Sequence, residues 1–188
     1  MARPRDPEKR KAILEAAIAE IAEAGLSATT AKIARRAGVA EGTLFTYFES
    51  KDELLNVLYI ELKHEVYARI NEEFPEQASL KQRAWHVWSI SMAWAIEGPE
   101  RRRAAMQLSL SDVVAPETRG GLAEERNMLD ALFAELSRRR SLKGLPGDYG
   151  ATLMGSMQDA TMETVMKHPR QRRVLVERGF AMYWKAVG

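Results

Sequence analysis

The 188-residue chain contains no cysteine. That excludes disulfide frameworks and thiolate metal sites, and it is compatible with a reducing compartment. There is no large excess of charge of either sign. Lys and Arg number 28 against 26 Asp and Glu, a formal net charge of +2. Bulk attraction to a polyanion is weak at that balance, so any nucleic-acid affinity depends on where the bases are placed. No run is both long and uncharged enough to span a bilayer. The most apolar one, 84–96, is too short and is interrupted by His86 and two serines. The N-terminal MARPRDPEKRK lacks the apolar core of a signal peptide, and the expectation is a cytoplasmic protein. Phosphate-cradling glycine loops and a nucleophile elbow are missing, so no cofactor and no catalytic residue is expected. His64, His86 and His168 lie far apart. Only His64 has carboxylates at close spacing, Glu61 and Glu65, which reads as a charged helix surface rather than a metal site.

Sustained alternation of β-branched and polar residues is absent, as is any Asn-Gly hairpin signal. What is present is helical periodicity in a chain that is 46% hydrophobic and 29% charged, a globular balance. The pattern predicts an all-α protein of about nine helices. A three-helix head is followed by a helical bundle, with domains expected at 1–50 and 51–188. The first helix is expected over about 7–24, stopped by Gly25. A fourth, from 51 to about 74, places Leu54, Leu55, Leu58, Leu62, Val66 and Ile70 on one stripe. A fifth is expected from the Ser79 cap to 97 and a sixth over about 99–111; the PETRGG segment reads as a loop or irregular helix start, and a seventh helix follows to about 140. The eighth and ninth are expected over about 148–167 and 171–186.

The segment 29–55, TTAKIARRAGVAEGTLFTYFESKDELL, points most directly at a function. Thr29 suits an N-cap. Ile33, Ala34 and Ala37 share one face of a short helix, while Lys32, Arg35 and Arg36 face outward. Gly38 suits a left-handed C-cap. A second short helix from about Glu41 spaces Leu44 and Phe48 for the core. Ser50 and Glu53 form a capping box for the next helix. Two short helices around a glycine-containing turn are a helix-turn-helix pattern, here over about 29–48, whose second helix enters the DNA major groove. That helix exposes Glu41, Gly42, Thr43, Phe45, Thr46 and Tyr47. Hydroxyls bond base edges or phosphates, and apolar groups pack on thymine methyls. Basic residues crowd the N-terminal arm at Arg3, Arg5, Lys9, Arg10 and Lys11.

This run closely resembles the DNA-binding domain of the tetracycline-repressor (TetR) family of bacterial transcriptional regulators. The resemblance is carried by Gly38, Val39, Gly42, Thr43, Leu44, Phe45, Tyr47, Phe48, Ser50, Lys51, Glu53 and Leu54, and covers about the first 60 residues. It implies a homodimeric regulator, a repressor released from a palindromic operator on double-stranded DNA by a small-molecule effector. Thr29, Thr30, Tyr47 and Lys51 are the implied phosphate contacts. Thr43, Phe45 and Thr46 face the groove, and Gly42 allows close approach. Ala31 and Lys32 depart from the family pattern, which often has an arginine and an acid there. Lys32 is therefore a candidate DNA contact of a different kind. Glu41 either accepts from a cytosine amino group or is repelled by phosphates.

Soft and aromatic residues are abundant in the body. Trp85, Trp88, Met92, Met106, Met128, Met154 and Met157, with Gln107 and Gln158, are candidates to line a largely apolar ligand cavity. The same residues also make an ordinary core. The last two helices suit dimerisation, through Gly155 and Ala160 on one and Val174, Phe180, Ala181 and Trp184 on the other. Two rival readings stand beside the regulator. One is a helical small-molecule-binding or enzymatic protein with a vestigial helix-turn-helix. The other is a regulator controlled by a protein partner.

Overall fold

The computed structural model describes residues 6–188. Arg3 and Arg5 of the basic arm lie outside the described residues. Among those described there are ten α-helices, two 3-10 turns and no strand. The helices are α1 (Pro7–Ala24), α2 (Thr30–Arg36), α3 (Glu41–Tyr47), α4 (Lys51–Asn71) and α5 (Leu80–Glu97). They continue as α6 (Pro99–Ser109), α7 (Pro116–Gly120), α8 (Asn127–Leu136), α9 (Tyr149–Lys167) and α10 (Arg172–Val187). The all-α expectation holds, with one more helix than the nine expected. The addition is α7, a single turn started by Pro116, whose fixed φ suits a first helical position. None of the described helices is long and apolar enough to cross a membrane.

The chain forms two compact units, and their division differs from the boundary expected at 50/51. One comprises the segments 1–65 and 98–122, the other 66–97 and 123–188. The chain therefore passes between them three times, once inside α4. Periodicity along the chain detects the helices but cannot show that α6 and α7 return to the N-terminal unit.

In the first unit, α1 starts at the Asp6 cap, whose carboxylate accepts from the Glu8 N–H at 3.0 Å, with Pro7 at the first position. Ile13, Ala17 and Ile21 face inward and are fully buried. They meet α2 on one side and α6 on another, where Ala104 and Leu108 are equally buried. Asn56, inside the apolar stripe of α4, pins the loop between α6 and α7. Its Nδ2 donates to the Val113 carbonyl at 2.9 Å, and its Oδ1 accepts from the Ala115 N–H at 2.9 Å and the Thr118 hydroxyl at 2.7 Å. Arg119 donates to the carbonyls of Ser109 (3.1 Å) and Ser111 (2.8 Å), which satisfies the open end of α6.

In the second unit, α5 is the central helix, against α8, α9 and α10. It begins with a capping box in which the Ser79 N–H donates to the Gln82 amide oxygen at 3.0 Å. Its Trp88 is fully buried, stacks on Tyr183 at 6.2 Å and donates from Nε1 to the Val176 carbonyl at 3.0 Å. Tyr183 in turn donates its hydroxyl to the Gly150 carbonyl at 3.1 Å, joining α10 to the start of α9.

Candidate nucleic-acid interface and effector groove

The segment that carries the sequence motif folds as two helices around a tight turn. Thr29 caps α2, its hydroxyl oxygen accepting from the Lys32 N–H at 3.3 Å. At the far end the Val39 N–H reaches the Ala34 carbonyl at 3.0 Å, and Gly38 takes φ +70°. This six-to-one closure needs a residue at positive φ, so glycine is there for its dihedral. Leu44 and Phe48 are buried, which fixes the opposite face of α3 as the outward one.

That outward face is open. Phe45 is 43% exposed. Glu41, Gly42 and Thr46 are exposed, and Thr43 and Tyr47 are half-buried at its edges. A Cβ on Gly42 would meet nothing within 4 Å, so another surface can approach the backbone closely there. Polar groups on this face are partly committed. The Thr30 hydroxyl donates to a Glu41 carboxylate oxygen at 2.6 Å, linking the starts of α2 and α3. Thr46 donates to the Thr43 carbonyl at 2.7 Å, which leaves its oxygen lone pairs outward. The Tyr47 hydroxyl accepts from the Asp6 N–H at 3.1 Å, and its proton remains available to a phosphate oxygen. Lys51 donates to the Leu26 carbonyl at 2.6 Å in a part-buried position, so one of its three donors holds the head together.

The cations divide into two groups. Arg36 is held by Glu20 and Glu23, both at 2.8 Å, and the hydrogen bond to Glu23 raises its pKa further. Lys32 and Arg35 on α2 are exposed and have no carboxylate partner among the described residues. The sequence pattern puts Lys32, Arg35 and Arg36 on one outward face, and only the packing of α1 against α2 separates them. Asn56 was missed altogether. Its one signal was a polar side chain amid Leu54, Leu55 and Leu58.

The nine candidate ligand residues do not share one site. Trp85 and Met92 line a groove of about 430 Å³ between α5 and the start of α10, open along one side. Ile96 and Val176 complete its apolar floor, and Arg172 and Arg173 stand at its mouth. Trp88 and Met154 are core residues with almost no exposure. Met128, Met157 and Gln158 are half-buried elsewhere in the same unit, Gln158 reaching the Trp88 carbonyl at 3.5 Å. Met106 and Gln107 belong to the first unit. Helical spacing alone could not make these distinctions, because each residue lies on a stripe that is apolar almost all round.

Of the candidate dimer residues, Phe180 is only 5% exposed, edge-on to Trp85 at 5.1 Å and stacked on Trp184 at 6.2 Å. It is internal to the unit. Ala160, Val174 and Ala181 are exposed, as are Met166 and Met182, while Gly155 and Trp184 are half-buried.

An open α3 face carrying a ring, hydroxyls and a bare glycine, beside two uncommitted cations, defines a helix-turn-helix protein. Residues 13–58 match the model of bacterial regulatory proteins of the tetR family. Over 72 residues it is 38% identical to a fatty acid metabolism regulator protein of Bacillus subtilis, covering 38% of this chain and 37% of that one. The matched stretches span 37% to 52% of the lengths of the first curated relatives. The whole chain is similar to a TetR family transcription regulator from Marinobacter aquaeolei VT8, at 27% identity and TM-score 0.82 over 97% of each chain. The fold is also shared with the transcriptional regulator FadR from Bacillus subtilis, solved in complex with stearoyl-CoA. There the identity is 24% and the TM-score 0.68, over 95% of this chain and 97% of that one.

Proposed function

We propose that the protein is a homodimeric, ligand-responsive transcriptional regulator, a repressor of the genes behind a palindromic operator. The observation that carries this reading is the outward face of α3, with Phe45 43% exposed and Gly42 unobstructed. Phe45 packs on thymine methyls, Thr43 and Thr46 read base edges, and Thr29, Thr30, Tyr47 and the uncommitted Lys32 hold phosphates. Lys51 serves the backbone with the donors that Leu26 leaves free. Glu41, fixed by Thr30, stands near the groove as an acceptor for a cytosine amino group. Dimerisation uses α9 and α10, whose exposed Met166 (49%), Val174 (39%) and Met182 (58%) favour burial against a second copy. Two-fold symmetry in the protein implies two-fold symmetry in its site.

The effector is a largely apolar small molecule held in the second unit. The groove beside α5 has the size of small-molecule sites, ~300–1,000 Å³. That FadR was solved with stearoyl-CoA supports a long-tailed ligand for this architecture. Binding lowers DNA affinity by the ligand's differential affinity for two states of the chain, ~1–3 kcal/mol in typical couplings. Work at the nucleoid follows from the DNA role.

Selection from a random duplex pool tests the proposal. One palindrome is expected to enrich. Phe45→Ala should then lose ~1–3 kcal/mol and relax preference at one step of each half-site. Tyr47→Phe should weaken all sequences alike and flatten the salt dependence. A pool that stays unenriched rejects the regulator reading. Enrichment with no response to any apolar compound would favour control by a protein partner.

A further inference from the structure

We propose that the groove between α5 and α10 takes a single-chain amphiphile with a phosphate-class head, its tail on the apolar floor and its head on the arginine rim. This rests on the reading of the second unit as the effector unit, and it names the chemistry of that effector.

The floor is Trp85, Met92, Ile96 and Val176. It offers no hydrogen-bond donor array for a sugar or a peptide backbone. The Ser89 hydroxyl at its edge is already donated to the His86 carbonyl at 3.1 Å. An extended apolar tail loses water there without leaving polar groups unpaired.

The rim has the opposite character. Two carboxylates reach the groove, and both have partners: Glu97 bonds Arg69 at 2.6 Å, and Glu177 lies 3.9 Å from Arg173. Arg170 and Arg172 are exposed and have no carboxylate partner among the described residues. The first turn of α10 holds Arg172 and Arg173 and no acid. Cations at a helix N-terminus oppose its dipole, so this rim carries unfavourable positive potential until an anion arrives. Immediately before it, Lys167, His168, Pro169, Arg170 and Gln171 line a cleft of about 270 Å³. Gln171 of the cleft and Arg172 of the groove are consecutive in the chain, so both sets of bases belong to the start of α10 and the turn before it. Arginine forks bind phosphate oxygens bidentately, and several bases together suit a head of more than one charge. A nucleic acid or an acidic peptide would use the rim and leave the apolar floor uncovered, which is why the amphiphile is favoured.

The test uses the full chain with dodecyl phosphate below its micelle concentration, read by tryptophan fluorescence and calorimetry. Saturable binding of one molecule per chain is expected. The double variant Arg170→Glu, Arg172→Glu changes only exposed residues and should weaken binding about tenfold or more. Val176→Glu should abolish it, with circular dichroism showing an intact fold. Dodecyltrimethylammonium and inorganic phosphate should each bind at least about tenfold more weakly than dodecyl phosphate. Equal binding of the cationic amphiphile overturns the proposal, as does unchanged affinity in both variants. A heparin hexasaccharide that binds through the arginines while dodecyl phosphate does not would also overturn it. Operator binding is measured in parallel without amphiphile. If dodecyl phosphate still releases DNA from the Val176→Glu protein, the effector sits elsewhere, and this inference fails while the regulator reading stands. If no DNA binds at all but dodecyl phosphate does, the groove assignment stands and the regulator reading fails.

Discussion

Gly179 lies in the middle of α10, where alanine would normally raise helix propensity by up to about 1 kcal/mol. A Cβ there would sit 2.6 Å from the Thr161 hydroxyl oxygen and 2.9 Å from the Trp88 ring. Overpacking a close contact costs about 1–3 kcal/mol, and neither the buried ring nor the α9 hydroxyl has room to give. The packing term is the larger. Gly179→Ala is therefore expected to lower the denaturant midpoint, whereas Gly155→Ala, which meets nothing within 4 Å, should raise it slightly or leave it unchanged. Tyr183 sets a second test. Burial pushes its phenol well above the ordinary value of 10.0. The folded chain keeps the proton while the unfolded chain releases it above that value. The contribution is therefore complete below pH 10 and is lost as pH rises beyond it. Unfolding followed from pH 8 to 11 should show falling stability, and Tyr183→Phe should flatten that fall. The variant also leaves the Gly150 carbonyl without its donor, at about 1 kcal/mol at neutral pH.

Among the elements, α4 and the loop between α6 and α7 show what a linear pattern conceals. Of the stripe Leu54, Leu55, Leu58, Leu62, Val66 and Ile70, legible as period 3.6, all but the half-buried Val66 are buried. Asn56 interrupts that run as a polar residue, and the linear pattern does not show its purpose. Besides the Asp52 carbonyl one turn back, its partners lie 57 to 62 residues away and are mostly backbone atoms, which side-chain chemistry does not announce. Removing the amide should cost about 2 kcal/mol, because the Val113 carbonyl and the Ala115 N–H lose their partner in a part-buried site. Asn56→Asp separates the roles, since a carboxylate still accepts from Ala115 and Thr118 but donates nothing to Val113. Urea unfolding should therefore rank the native chain first, Asn56→Asp second and Asn56→Ala last. The DNA-reading helices were the most legible part, because caps, a positive-φ glycine and buried i, i+4 pairs are all local. The aromatic and methionine stripes were the least legible. Each is apolar around most of the helix, so sequence could not say which residues face the groove and which the core.

At the scale of the molecule, the head is made of two stretches of chain. Helix α1 buries Ile13, Ala17 and Ile21, and α6 supplies Ala104, Ala105 and Leu108 to the same unit. A fragment of residues 1–65 keeps the whole reading motif yet loses α6 and the Asn56-pinned loop. It is expected to show reduced helicity and a broad thermal transition by circular dichroism. Joining 98–122 to it through a flexible linker should restore cooperative melting. A fragment of 1–65 that melts as sharply as the full chain would show that α6 is dispensable.

That arrangement governs how such a chain can be recombined. A reading head that is continuous in sequence can be grafted onto a foreign body at a single splice point, as one part of a kit. This head cannot, because 98–122 would stay behind with the old body and the face of α1 would meet whatever the new one supplies. Hybrid regulators built from it need a three-junction transplant that carries both stretches, or a recipient whose own returning helix presents small residues where Ala104 and Ala105 now sit.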